Sequence, residues 1–280
     1  MKTLDDKVVV ITGAGSGIGR ALAVAAARQG ALLAVSDVDE AGLAETVDLV
    51  KGAGAREVRS DRLDVADRAA VAAYATTVAD HFGRVNVVVN NAGVALAGEF
   101  ADLEYDDIDW IMAINLGGVL NGTKEFLPHL IASGDGHVVN LSSLFGLVPM
   151  PGQSIYNATK FAVRGMSEAL RIEMLQAGHR VGVTVVHPGG IKTAIARNAR
   201  VSAKEDKEAT AKLFDKKLAK MTPEKAAEVI WRAVEKDQAR VLVGIDAHVI
   251  HNLGKYTGSK FQDLVAKAAD RVLPAKTKVV

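Results

Sequence analysis

The chain has 280 residues, with 34 Lys or Arg against 33 Asp or Glu and no cysteine. A formal charge of +1 gives no overall electrostatic case for nucleic acid or an anionic membrane, and the missing cysteines exclude disulfides, thiolate metal sites and a cysteine nucleophile. No run of ~18 uninterrupted apolar residues occurs, so no membrane span is expected.

The first predicted strand, residues 8–11, is an apolar, β-branched run of the kind buried on both faces. It begins so early that no signal peptide is expected, and the chain reads as cytoplasmic. Thr12-Gly13-Ala14-Gly15-Ser16-Gly17-Ile18-Gly19 follows at once, and Arg20 opens an Ala-rich helix. Strand, glycine turn and helix start make a phosphate cradle. Gly13 allows the tight turn, Gly17 lets the backbone approach a pyrophosphate, and the helix N-terminus supplies free N–H groups. The alternative is a plain glycine-rich turn.

A second predicted strand, 31–36, ends at Asp37. A carboxylate there can accept hydrogen bonds from the adenosine ribose and repel a 2′-phosphate. Arg20, just past the glycines, is the counterweight, because it can meet such a phosphate. The balance predicts NAD over NADP. Asp37 could instead cap the helix beginning near Asp39, although Asp39 fills that role as well or better.

Further strands are predicted at 56–59, 85–90, 137–141, 181–186 and 239–243, with helices at 67–82, 106–133, 157–176 and 223–237. Alternating strands and helices predict an α/β, Rossmann-type doubly wound parallel sheet of about seven strands, with helices on both faces. With no repeat or linker, residues 1–280 read as one domain. Tyr156 and Lys160 stand one helical turn apart on one face, where an ammonium favours a phenolate. Such a tyrosine serves as a general acid or base. No His/Asp/Glu cluster has metal-ligand spacing, so no metal is predicted.

Taken in order, Thr12-Gly13-x-x-x-Gly17-x-Gly19, Leu63-Asp64-Val65, Asn90-Asn91-Ala92-Gly93, Asn115, Ser143, Tyr156-x-x-x-Lys160, and Pro188-Gly189 with Thr193 resemble the short-chain dehydrogenase/reductase family, compact branch. The resemblance covers residues 12–193. It implies a catalytic set of Asn115, Ser143, Tyr156 and Lys160. Ser143, thirteen residues before Tyr156, is the family's catalytic serine, which leaves Ser142 to local hydrogen bonding.

The cofactor site implied comprises Gly13, Ser16, Gly17, Ile18, Gly19, Asp37, Asp64, Val65, Asn90, Ala92, Gly93, Tyr156, Lys160, Pro188, Gly189, Ile191 and Thr193. Asp64 would meet the adenine amino group, or else cap a helix. Asn90 would serve cofactor contact or the sheet edge. Asn115 would hold a water leading to Lys160 through its carbonyl. The turn at Pro188 would bind the nicotinamide carboxamide, while His187 beside it reads as structural.

Residues 190–222 correspond to the family's substrate lid, with a charged run read as a solvated helix face. Leu144, Phe145, Met150, Gln153 and Ile195 make a mostly apolar candidate pocket, fitting a hydrophobic secondary alcohol or ketone better than a carrier-bound acyl group. The ending, about 247–280, is longer than the family's usual tail and carries an amphipathic helical stretch over 261–269. It resembles members acting on lipophilic alcohols, and suggests a pocket cover, a dimer contact, loose surface association, or packing on its own domain. A homodimer or homotetramer is implied. A non-catalytic dinucleotide sensor is the alternative, but such members usually lose the tyrosine or lysine. An isomerase, epimerase or dehydratase is a further alternative, but those of the family that use nucleotide sugars generally need a larger C-terminal domain.

Overall fold

Short runs of valine, isoleucine and leucine with no polar face can only become strands covered on both sides. The computed structural model, which describes residues 1–272, shows that arrangement. Among the described residues nine strands are formed: β1 (Val8–Thr12), β2 (Leu32–Asp37), β3 (Val58–Arg62), β4 (Val87–Asn90), β5 (Leu96–Ala97), β6 (Gly136–Leu141), β7 (Val181–Pro188), β8 (Arg200–Val201) and β9 (Arg240–Val243). The main sheet runs β3-β2-β1-β4-β6-β7-β9 and every pair is parallel. Chain order reverses between β1 and β4, and the crevice at that switch point is where open α/β sheets bind ligands.

The helices are α1 (Gly17–Arg28), α2 (Glu40–Gly52), α3 (Arg68–Phe82), α4 (Tyr105–Met112), α5 (Gly118–Ala132), α6 (Ser154–Gln176), α7 (Lys207–Leu213), α8 (Pro223–Glu235), α9 (Ile245–Thr257) and α10 (Lys260–Val272). One face of the sheet packs with Leu22 of α1 and Ile230 and Trp231 of α8. The other packs with Val71 and Tyr74 of α3, Phe126 of α5 and Leu170 of α6. Trp231 also donates its indole N–H to the Leu22 carbonyl at 3.1 Å, fixing α8 on α1.

Four departures from the sequence reading stand out. The strand expected at 56–59 lies at Val58–Arg62, because this edge strand is polar and its hydrophobic signal is weak. The single helix expected over 106–133 is broken by a π-helical turn, Ala113–Gly117. The segment expected to be a lid, 190–222, carries a two-residue strand, β8, paired to β5. Finally, the tail is a pair of helices, α9 and α10, where one stretch at 261–269 was expected. Residues 273–280 of that tail lie outside the described residues.

Candidate active site

The glycine turn after β1 is tied to the chain leaving β4. Asn91 Nδ2 donates to the carbonyls of Thr12 and Gly13, both at 2.9 Å. Thr12 Oγ1 accepts the N–H groups of Asn91 (3.1 Å) and Ala92 (3.2 Å). Gly13 has φ +65°, and a Cβ there would lie 2.7 Å from Ala92 Cα. A Cβ at Gly19 would collide with the Gly13 carbonyl oxygen.

Side chains of Asp39, Asp67 and Thr222 cap α2, α3 and α8. The start of α1 differs. Ser16 is its N-cap residue but makes no capping hydrogen bond, and no acid sits in the first turn. Its N–H groups and partial positive charge are therefore left to an anionic ligand. Thr193 closes over the same turn, since a Cβ on Gly17 would lie 3.1 Å from its Cγ2. Close backbone approach and an uncapped helix start together fit a dinucleotide pyrophosphate.

Asp37, at the end of β2, turns its carboxylate to this cradle. Oδ2 accepts the Gly15 N–H at 2.7 Å and Oδ1 accepts the Asp39 N–H at 3.0 Å. Both oxygens keep further acceptor capacity for hydroxyl groups. Asp39, not Asp37, caps α2. Arg20 is committed elsewhere: it donates to Thr46 Oγ1 (2.9 Å), to the carbonyls of Gly15 and Gly42, and to Glu45 (2.9 Å). Asp64 is exposed and accepts the Ala66 N–H at 2.9 Å in a local turn, while Asp67 caps α3. Val65 is buried and lies against Gly118 of α5.

Across the switch point, β6 and α6 bring Ser143, Tyr156 and Lys160 together. Lys160 is 4% exposed, and its ammonium donates to the Leu141 carbonyl at 3.0 Å and sits 5.7 Å from the Tyr156 ring centroid. Burial pulls the lysine down to about 8. The phenol of Tyr156 is raised by burial and pulled back by its hydrogen bond with Ser143. The ammonium expected to favour a phenolate stands beside the ring, but it is not the largest influence on the phenol. Desolvation is the larger influence, and the ammonium leans on a backbone carbonyl.

Asn115 occupies the π-helical turn and is fully buried. Its Oδ1 accepts the Val94 N–H at 2.8 Å and its Nδ2 donates to the Val94 carbonyl at 2.9 Å. A Cβ on Gly93 would lie 3.2 Å from Asn115 Oδ1 and 3.5 Å from Lys160 Nζ, so the backbone there passes close to both side chains. Ser142 donates to the Lys160 carbonyl at 2.8 Å, the local role expected of it.

Two residues named from sequence face elsewhere. Asn90 points beneath the sheet, where its Nδ2 donates to Thr123 Oγ1 (3.0 Å) and Asn140 Oδ1 (2.8 Å). Of its two readings, the side chain fits the structural one. Leu144 packs with Val148, Ala247 and Phe261 against the tail rather than on the tyrosine. Phe145 does reach it, edge-on at 6.2 Å between ring centroids. Asn157 fixes the intervening loop, donating to the carbonyls of Phe145 (2.6 Å) and Val148 (3.0 Å) and accepting the Met150 N–H at 3.2 Å. Gln153 precedes α6, and Ile195 lies half-buried beyond buried Ile191. The segment 190–222 is anchored by Arg200, which stacks on the Trp110 ring at 4.0 Å and pairs with Asp107 at 2.8 Å.

Two contributors carried no clear signal in the sequence. His187 Nδ1 lies 2.7 Å from the Ser143 carbonyl. Asp246, in the first turn of α9, accepts the Gly190 N–H at 2.7 Å and fills the space a Cβ on Gly189 would need. It thereby clasps the Pro188-Gly189-Gly190 turn. An acid after a glycine was visible, but its partner lies 56 residues away.

Among known proteins, the family model described as short chain dehydrogenase matches residues 7–204. A Mycobacterium tuberculosis protein that carries the name oxidoreductase SadH is 56% identical over 274 residues, covering 98% of this chain and 99% of its own. A short-chain dehydrogenase/reductase from Burkholderia phymatum, solved in complex with NAD, superposes with a TM-score of 0.81 at 30% identity, covering 100% of this chain and 99% of that one. An alcohol dehydrogenase from Thermococcus sibiricus, solved with 5-hydroxy-NADP, gives 0.72 at 28% identity, covering 85% and 96%.

Proposed function

The chain belongs to the short-chain dehydrogenase family, and on that premise we propose that it interconverts a hydrophobic secondary alcohol and its ketone, with NAD preferred over NADP. The observation that carries this reading is the grouping of half-buried Ser143 with buried Tyr156 and Lys160, across the switch point from an uncapped glycine cradle. When bound, a nicotinamide dinucleotide supplies the acceptor for hydride.

The chain's own residues supply the proton chemistry. Tyr156 Oη takes the substrate hydroxyl proton during oxidation and returns it during reduction. Ser143 Oγ holds the reacting oxygen and stabilises negative charge as it develops. Lys160, buried beside the ring, favours the phenolate and gains from a negative neighbour what burial costs it. The Asn115 turn holds the backbone at Val94 and supports the lysine end of the site. Asp37 favours ribose hydroxyls over a 2′-phosphate, and the engagement of Arg20 supports NAD.

Residues 190–222 serve as the substrate lid, with Phe145, Met150, Gln153 and Ile195 as candidate pocket residues. The face of α6 leaves Phe161, Ile172 and Leu175 exposed, which supports pairing with a second copy of the chain. The test is turnover of a panel of hydrophobic secondary alcohols with NAD and with NADP, read as absorbance of reduced nicotinamide. Reduction of NAD that Tyr156→Phe abolishes supports the reading. Tight dinucleotide binding without turnover of any alcohol would sink it in favour of a sensor.

A further inference from the structure

We infer that the outer face of α9 and α10 is a docking surface for an anionic phospholipid bilayer. Helix α9 is apolar on two sides. Its inner side, with Ala247 and Ile250, packs on Leu144, Val148 and Phe261. Its outer side presents Ile245, Val249, Leu253 and Tyr256, spaced to form one stripe and exposed by 82%, 60%, 47% and 82%. Leu264 continues the stripe on α10, and Tyr256, Thr257, Lys260, Asp263 and Leu264 line a shallow groove between the two helices. No other described element presents a run of four exposed large apolar side chains at helical spacing.

Charge selects the occupant. Residues 255–280 hold six Lys or Arg and two Asp or Glu, leaving 28 and 31 for residues 1–254. The balanced total of +1 thus conceals a basic C-terminal end on an otherwise slightly acidic chain. Lys255, Lys260 and Lys267 are exposed, and Lys255 lies over the Tyr256 ring at 5.9 Å. A second copy meeting this face would bring like charges together. A nucleic acid would satisfy the cations but leave the aliphatic stripe in water. An acidic headgroup layer with acyl chains beneath satisfies both, with the lysine stems reaching up to the phosphates. Because the inner side of the same helices packs on the 144–148 loop beside Tyr156, a docked helix pair would stand between bilayer and pocket. Only that link to a lipophilic substrate rests on the oxidoreductase reading.

The experiment is co-sedimentation of the full chain with phosphatidylcholine vesicles, with and without phosphatidylglycerol. Two variants run alongside, Val249→Ser/Tyr256→Ser and Lys255→Gln/Lys260→Gln/Lys267→Gln, with circular dichroism as the control for folding. The expected result is binding to the anionic vesicles at least about tenfold stronger than to neutral ones, released by salt. Both variants should lose about tenfold or more in binding while keeping native secondary structure. Absence of vesicle binding, or equal binding by folded variants, overturns the proposal. So does a solution dimer that Val249→Ser/Tyr256→Ser dissociates. Binding is read without alcohol or dinucleotide, so a failure of turnover leaves this result intact.

Discussion

His187 places its Nδ1 2.7 Å from the carbonyl oxygen of Ser143, from a ring that burial pulls down to about 4 and so keeps neutral. A neutral imidazole bonded to a carbonyl must carry its proton on Nδ1. The histidine is thus a positioning residue for the serine hydroxyl. We predict that His187→Phe lowers kcat about fivefold with the KM for dinucleotide little changed, since one hydrogen bond of ~1 kcal/mol is lost. Because Ser143 pulls the Tyr156 phenol down, the kinetic pKa of alcohol oxidation should also rise. His187→Asn, which returns an amide donor, should restore much of both. An unmoved pH profile in His187→Phe would reduce the residue to packing.

Tyr156→Phe should cut turnover by about 10²–10⁴-fold, the range removed with a general acid–base group. Affinity for the dinucleotide should stay within a few-fold, because the cradle is built from the turn after β1 and from Asn91. Near-native turnover with the substrate would falsify the assignment of proton transfer to this phenol.

Asp37→Ala removes an acceptor that pins the Gly15 N–H at 2.7 Å and is proposed to meet the ribose hydroxyls. Weaker NAD binding by about 1–3 kcal/mol is expected, with a narrowed preference against NADP. Titration of both dinucleotides by fluorescence reads this directly. Arg20→Ala, by contrast, should destabilise the fold where α1 meets α2, because the guanidinium joins Gly15, Gly42, Glu45 and Thr46.

Stability should fall on mild acidification. His137 and His187 are both pulled down to about 4 by burial, from the ordinary 6.5. The unfolded chain binds these protons first, so the stabilising contribution is complete above about pH 6.5 and is lost as pH falls toward 4. At full protonation the loss is on the order of 3 kcal/mol for each ring. Urea unfolding midpoints measured from neutral pH down to about pH 5 should decline steadily. A flat profile would mean that the two rings are not held neutral.

Much of the fold was legible because buried valine runs have few alternatives. Residues 8–11 and 137–141 fall within β1 and β6, and the Tyr156-Lys160 spacing lands on one face of α6. Other features were not legible because distant contacts decide them. Asn115 is a visible misfit in a helical run, but Val94, the partner it bonds from the π-helical turn, lies 21 residues away. A two-residue strand such as β8 has no periodicity to read. Asn90 and Leu144 lie in the right segments, but which way each side chain turns depends on Thr123, Asn140 and the tail helices.

The Asp246 carboxylate belongs to the tail, yet it holds the turn at Gly189 and Gly190. The C-terminal helices are therefore not an appendage that can be trimmed or exchanged at will. A graft taking α9 from a relative without an acid at this position would release the turn proposed to hold the nicotinamide end of the cofactor. Such a graft would register first as poor dinucleotide retention, even with every residue of the glycine cradle in place.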